Sequence, residues 1–208
     1  MNQEILIILN LLVGFIFTTV LGGLLGGYLQ RRSWDHQNEV RLKEKELEQG
    51  SEVCHSVSQL LDKRLYRMRL LCSACEGHTQ GSISKEVLEQ RHHDHGEVLY
   101  EWNDKLRLNL SLVGAYFGDS AREFLNTDIY EPFEKTGSEL EQVYRQVSQK
   151  SQARYDFSGL FKQLDQINEP VCQFGLYMMK RLREGLVEGK ASEALTASIL
   201  RGTTAGKN

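Results

Sequence analysis

Proline is scarce in this chain: Pro132 and Pro170 are the only two in 208 residues. Long stretches therefore carry nothing that removes an interior helical N–H or clashes with the preceding turn. No segment pairs β-branched alternation with tight-turn residues, which argues against a sheet. A charge excess is missing as well, since 25 Lys and Arg face 28 Asp and Glu for a formal net charge of -3. Without a basic surplus, nucleic acid is not an expected partner. The four cysteines, Cys54, Cys72, Cys75 and Cys172, do not by their count imply a disulfide framework. The chain also lacks a Gly-x-x-x-x-Gly-Lys-Ser/Thr phosphate loop, a Gly-x-Gly-x-x-Gly turn after a strand and a Gly-x-Ser-x-Gly elbow. The sequence points away from an enzyme.

Charge is absent from one long segment in particular. Residues 5–30 (ILIILNLLVGFIFTTVLGGLLGGYLQ) contain no Asp, Glu, Lys, Arg or His, and about 20 mostly apolar residues suffice for a helix to cross the hydrocarbon of a bilayer. A cleavable signal would place positive charge before a shorter apolar core and small residues after it. Here Glu4 precedes the core, both Arg31 and Arg32 follow it, and no Ala-x-Ala-like site intervenes. The pattern predicts a retained single-pass anchor. Positive charge beside a span marks the cytoplasmic side, so Arg31, Arg32 and Arg41 predict an external N-terminus and a cytoplasmic domain at the cell (inner) membrane. Tyr28 and Trp34 stand where interfacial aromatics anchor a helix. Cysteines in such a cytoplasmic domain are expected to be reduced.

Beyond the anchor the pattern is helical. Val40, Leu47, Cys54, Leu61, Met68 and Cys75 recur at the spacing of one coiled-coil seam position, and Lys43, Gly50, Val57, Arg64 and Leu71 fill its companion. Only the second half is apolar on both sides. Residues 31–50 therefore read as a charged helical stalk, with Gly50 as a hinge before a packed helix. A glycine-containing link at 76–81 turns the chain, and Ser82 or Ser84 is suited to cap the next helix. That helix places Leu88, Leu99, Trp102, Leu106, Leu110, Val113 and Phe117 on one face, and Gly118 is expected to end it as a left-handed C-cap. Ser120-Ala-Arg-Glu123 reads as a capping box opening a third helix, which Pro132 kinks or restarts. A polar link at 148–154 leads to a fourth helix carrying Leu160, Leu164, Ile167, Val171, Phe174 and Met178 inward, disturbed at Pro170. The expected fold is all-α: a short external N-terminus (1–4), a transmembrane helix (5–30), a stalk (31–50), an antiparallel four-helix bundle (51–189) and a loose tail (190–208).

Three constellations bear on chemistry. Cys72-x-x-Cys75 and the later His92 and His95, with His78 nearby, are residue types that hold zinc in a tetrahedron, and the packed faces bring the two pairs within about one helical turn across a hairpin. The simpler reading is that the cysteines are small apolar core residues, because one pair inside a helix lacks the loop that aims both thiolates at one ion. Glu52-x-x-His55 and Glu89-x-x-His92 echo the ligand pattern of di-iron bundles, but Glu52 and His55 point away from the packed stripe. Inside the anchor, Gly22-x-x-x-Gly26 and Gly23-x-x-x-Gly27 form two small-residue ridges of the kind that let spans approach closely. Lys63, Arg64, Arg67 and Arg69, interleaved with apolar residues, read as a solvated face near anionic headgroups. Tyr66, Tyr100 and Trp102 read as core and rim.

These features describe a membrane-anchored, non-enzymatic interaction or scaffold module. Its expected partners are the lipid bilayer, a second copy of the chain and a further protein that the sequence does not name. A zinc-responsive sensor using Cys72, Cys75, His92 and His95 is one alternative. An oligomerising, membrane-perturbing effector is another.

Overall fold

In the computed structural model, which describes residues 3–149 and 155–185, every regular element is helical. Five α-helices follow one another: α1 (Gln3–Thr79), α2 (Lys85–Phe117), α3 (Asp119–Phe124), α4 (Glu131–Ser148) and α5 (Phe157–Arg183). A π-helical turn, Leu125–Tyr130, joins α3 to α4. The chain divides into two units, Met1–Lys45 and Glu46–Asn208. The tail read at 190–208 and the centre of the link at 148–154 lie outside the described residues.

In the first unit, the N-terminal part of α1 is long and apolar enough to cross a membrane, with a mean hydropathy of 1.8 in its best 18-residue window. None of that window is buried within the protein. Phe15, Leu24 and Leu25 are 60–73% exposed. The hydroxyls of Thr18 and Thr19 donate to the carbonyls of Gly14 and Phe15 at 2.7 and 2.8 Å. These two hydroxyls are thereby satisfied by their own helix, as a bilayer interior demands.

The second unit is a four-helix bundle, built from the C-terminal part of α1, α2, the α3–π–α4 segment and α5. The seam positions of α1 turn inward here. Cys54, Val57, Leu61, Met68, Leu71, Cys72 and Cys75 are buried, and they meet Trp102, Phe117, Phe133, Leu140, Leu164 and Phe174 in one core. Gly50 is not a break. It is helical and buried, and α1 runs through it.

The turns follow local chemistry. Gly77 lets Ile83 fold back over the end of α1, since a Cβ there would meet the Ile83 side chain at 2.7 Å. The N–H groups of Ser82 and Ile83 both donate to the Gly77 carbonyl. Ser84, rather than Ser82, caps α2, its side chain accepting from the Val87 N–H. Gly118 ends α2 as expected of glycine, but at φ 94° and ψ 164° it is extended rather than left-handed helical. The capping box is not used: α3 starts at Asp119 with no side-chain cap, because the N-cap position falls on Gly118, two residues before Ser120.

Pro132 restarts the third helix through the π turn. The Glu131 N–H donates to the Asn126 carbonyl five residues back. Widening the helix there relieves the clash that proline makes with the turn before it. Asp156 caps α5 by accepting from Gly159 N–H at 2.9 Å. Pro170 lies inside α5 without ending it.

Candidate functional site

The bundle buries four polar residues, Arg64, His95, Asn109 and Thr136. Two of them, Arg64 and His95, face one recess. Arg64 occupies the seam position between Val57 and Leu71, so the packing of α1 carries its side chain inward; it is 3% exposed. This corrects its reading as part of a solvated face. Arg67, from the same run, is also drawn in and pairs with Asp94 at 2.7 Å. Lys63 and Arg69 stay near the surface, paired with Glu101 and Asp165.

The Arg64 guanidinium lies 5.3 Å from the Trp102 ring and 4.8 Å from the Phe133 ring. Among the described residues no carboxylate forms an ion pair with it, and its Nε and Nη1 find no hydrogen-bond partner. Trp102 Nε1 beside it is likewise unpartnered. Burial lowers the Arg64 pKa to about 10, opposed by Tyr130 and Glu134, so the side chain remains a cation at neutral pH. An unmade hydrogen bond at a buried donor costs about 1–3 kcal/mol. A desolvated cation–π contact returns about 2 kcal/mol, but it leaves those donors unmet.

A cavity of about 790 Å³ reaches Arg64 and opens between α2 and α4. His92, His95 and Gly96 of α2 line one wall, followed a turn later by Leu99, Tyr100 and Asn103. The other wall is Tyr130 from the end of the π turn, with Glu134, Gly137, Ser138, Glu141 and Arg145 of α4. The spacing of His92 and His95 at i,i+3, and of Glu134, Ser138 and Glu141 along α4, keeps each set on one helical face.

Glu141 organises the rim. It accepts from His92 Nε2 at 2.8 Å and from Arg145 Nε at 3.0 Å. Burial works against its charge, but these two hydrogen bonds lower its pKa overall. The His92 ring lies flat on Tyr144, with centroids 3.7 Å apart and planes within 2°. His95 is 4% exposed. Burial first, then Arg64 and His92, drive its pKa down to about 4, with Glu141 opposing. His95 is therefore neutral at pH 7.

The four residues weighed as zinc ligands are not gathered into a metal centre. Among the described residues no group of three or more His, Cys, Asp or Glu is placed to hold an ion. Cys72 and Cys75 are both fully buried. Burial pushes each thiol up to about 12, with Cys75 and Glu76 adding to the effect at Cys72, and Glu141 at Cys75. Both are thiols in an apolar core, not thiolates. All four cysteines are free, Cys172 on the surface. Glu52 and His55 are exposed, as the helical wheel indicates.

In the first unit, a Cβ added at Gly22, Gly23, Gly26 or Gly27 would meet nothing within 4 Å. Arg31 and Arg32 follow on the same helix, and Tyr28 and Trp34 are exposed.

Arg64 was legible in the sequence through its seam position. Glu134, Glu141 and Tyr130 were not, since nothing local to α4 tells which helix it will face. No family model, curated protein or solved structure matches the chain.

Proposed function

We propose that the chain is a single-pass membrane protein that holds a non-enzymatic helical interaction module against a membrane and self-associates through its span. The observation that carries this reading is the uncharged helical stretch whose large apolar side chains are exposed. A core helix of a water-soluble protein hides such residues. A cleavable signal ends in small residues at a processing site, whereas here residues 28–51 continue as helix. The internally bonded threonines add support. The bare ridges at Gly22, Gly23, Gly26 and Gly27 offer close backbone approach to a second copy.

Arg31, Arg32 and Arg41 favour a cytoplasmic bundle and an external N-terminus, and four free cysteines agree with a reducing compartment. The exposed face of the bundle is then available to a protein partner at the cytoplasmic surface.

Reporter fusions at the C-terminal end test the orientation. A fluorescent protein fused after residue 208 should light up, and an exported phosphatase at the same point should be inactive. An active phosphatase would reverse the topology and remove the argument from reduced cysteines.

A further inference from the structure

We propose that the recess between α2 and α4 binds a small organic carboxylate on the Arg64 guanidinium. The inference concerns the bundle alone and goes beyond the membrane reading, on which it does not depend.

Three observations converge on an acceptor. Arg64 is 97% removed from solvent by its 3% exposure, lines the recess, and has two N–H donors without partners. The adjoining Trp102 Nε1, which does not line the recess, is also without a partner. A guanidinium remains charged and donates charge-assisted hydrogen bonds to a carboxylate. The cavity, about 790 Å³, lies within the range of small-molecule sites.

The charge around the recess sets the class of anion. Glu97, Glu134 and Glu141 line it. Arg145 and His92 are both committed to Glu141, and Glu134 already acts on the Arg64 charge, so the ligand that Arg64 can meet is one of low charge. Phosphate and other multiply charged anions would face the three glutamates, so a monoanion is preferred. Leu99, Tyr100 and Tyr130 offer apolar surface to the rest of the ligand. A longer aliphatic carboxylate should accordingly bind more tightly than a short one. Gly96 leaves the room: a Cβ there would enter open space, with nothing within 4 Å.

The test uses the full-length chain with Trp34→Phe, so that emission comes from Trp102 alone. In non-ionic detergent it is titrated with sodium acetate, sodium butyrate and sodium phosphate, at constant ionic strength made up with chloride. The expected result is a saturable change in Trp102 emission with both carboxylates, tighter for butyrate, and a weaker response or none to phosphate. Arg64→Met removes the charge while keeping an apolar side chain. It should weaken butyrate binding by at least about tenfold, as loss of a hydrogen bond to a charged group does. Gly96→Leu fills the recess without touching Arg64 and should abolish the response with helicity unchanged. No saturable response in the parent overturns the proposal. An undiminished response in folded Arg64→Met or in Gly96→Leu overturns it too, and tighter binding of phosphate than of butyrate overturns the choice of carboxylate.

Discussion

The two units of this chain break the inside–outside rule in opposite directions. The first leaves Phe15, Phe17, Leu24 and Leu25 exposed, while the second buries Arg64, His95, Asn109 and Thr136. Exposed apolar residues are common singly and informative in a continuous patch, and buried polar residues are informative one at a time. Thr136 is satisfied within the bundle by Gln163, but the apolar run and Arg64 each point to something outside the protein. A run of bare apolar side chains asks for a solvent other than water. A buried cation with unpartnered donors asks for an acceptor.

The same helix shows the difference. At the seam positions of α1, Val40 is exposed, while Leu61, Met68 and Cys75 are buried. Periodicity alone does not separate these regions, because an apolar stripe is written the same way whether or not a partner covers it. The presence of facing helices, supplied here by α2, α4 and α5, decides which copies of the repeat become core.

The largest effect expected on the bundle side is at Trp102, which is fully buried. Trp102→Ala should cost about 3–5 kcal/mol, enough to unfold a marginal domain. Thermal melts of a fragment starting at Glu46 measure it. A variant that melts like the parent would show that the core is drawn around the wrong face.

On the membrane side, Phe17→Arg places a charge within the apolar stretch. It should cost about 2.5–3.5 kcal/mol of insertion at mid-span and shift the chain out of the membrane fraction, with the bundle's helicity preserved. Unchanged membrane partition would remove the contrast between the units.

His95 sharpens the bundle's half through pH. Its folded pKa, about 4, lies below its unfolded value near 6.5. The unfolded chain thus binds more protons between those values, and stability falls as the pH drops through that window. The full loss amounts to about 3 kcal/mol. Denaturant melts of the Glu46 fragment at pH 7 and pH 5 should show part of this loss, and His95→Gln should flatten the slope. Equal slopes would place His95 in a more hydrated setting. Glu141, whose pKa is depressed, contributes stability that is present above the ordinary carboxylate pKa and is lost as the pH falls from there through its lowered folded pKa.

Smaller effects are expected at the glycine ridges. Gly22→Ile with Gly26→Ile, and separately Gly23→Ile with Gly27→Ile, should weaken self-association of the span in a membrane two-hybrid assay, because bulk holds the backbones apart. No change in either pair would make the glycines merely permissive.

Much of the fold was legible because helix formation is written locally. The capping serine of α2, the glycine at 118, the restart at Pro132 and the inward residues of α5 all follow from near neighbours. Misreadings arose where residue type was weighed above position. Arg64 looked like surface because arginine usually is, although Val57 and Leu71 already placed it on the seam. Asn109 is buried on the same ground of position, seven residues after Trp102 and four before Val113. The candidate site was less legible, since it depends on pairings distant in sequence. The contact of His92 with Glu141 spans 49 residues, and the π turn that precedes α4 has no local signal beyond Pro132.

The contrast between the units rests most directly on where each one resides. Membranes carrying the full-length chain, and cells carrying the fragment from Glu46 onward, can be washed with alkaline carbonate and separated by centrifugation. The full chain is expected to stay in the pellet and the fragment to appear, folded and helical, in the supernatant. Release of the full chain by carbonate, or retention of the fragment in the pellet, would contradict it.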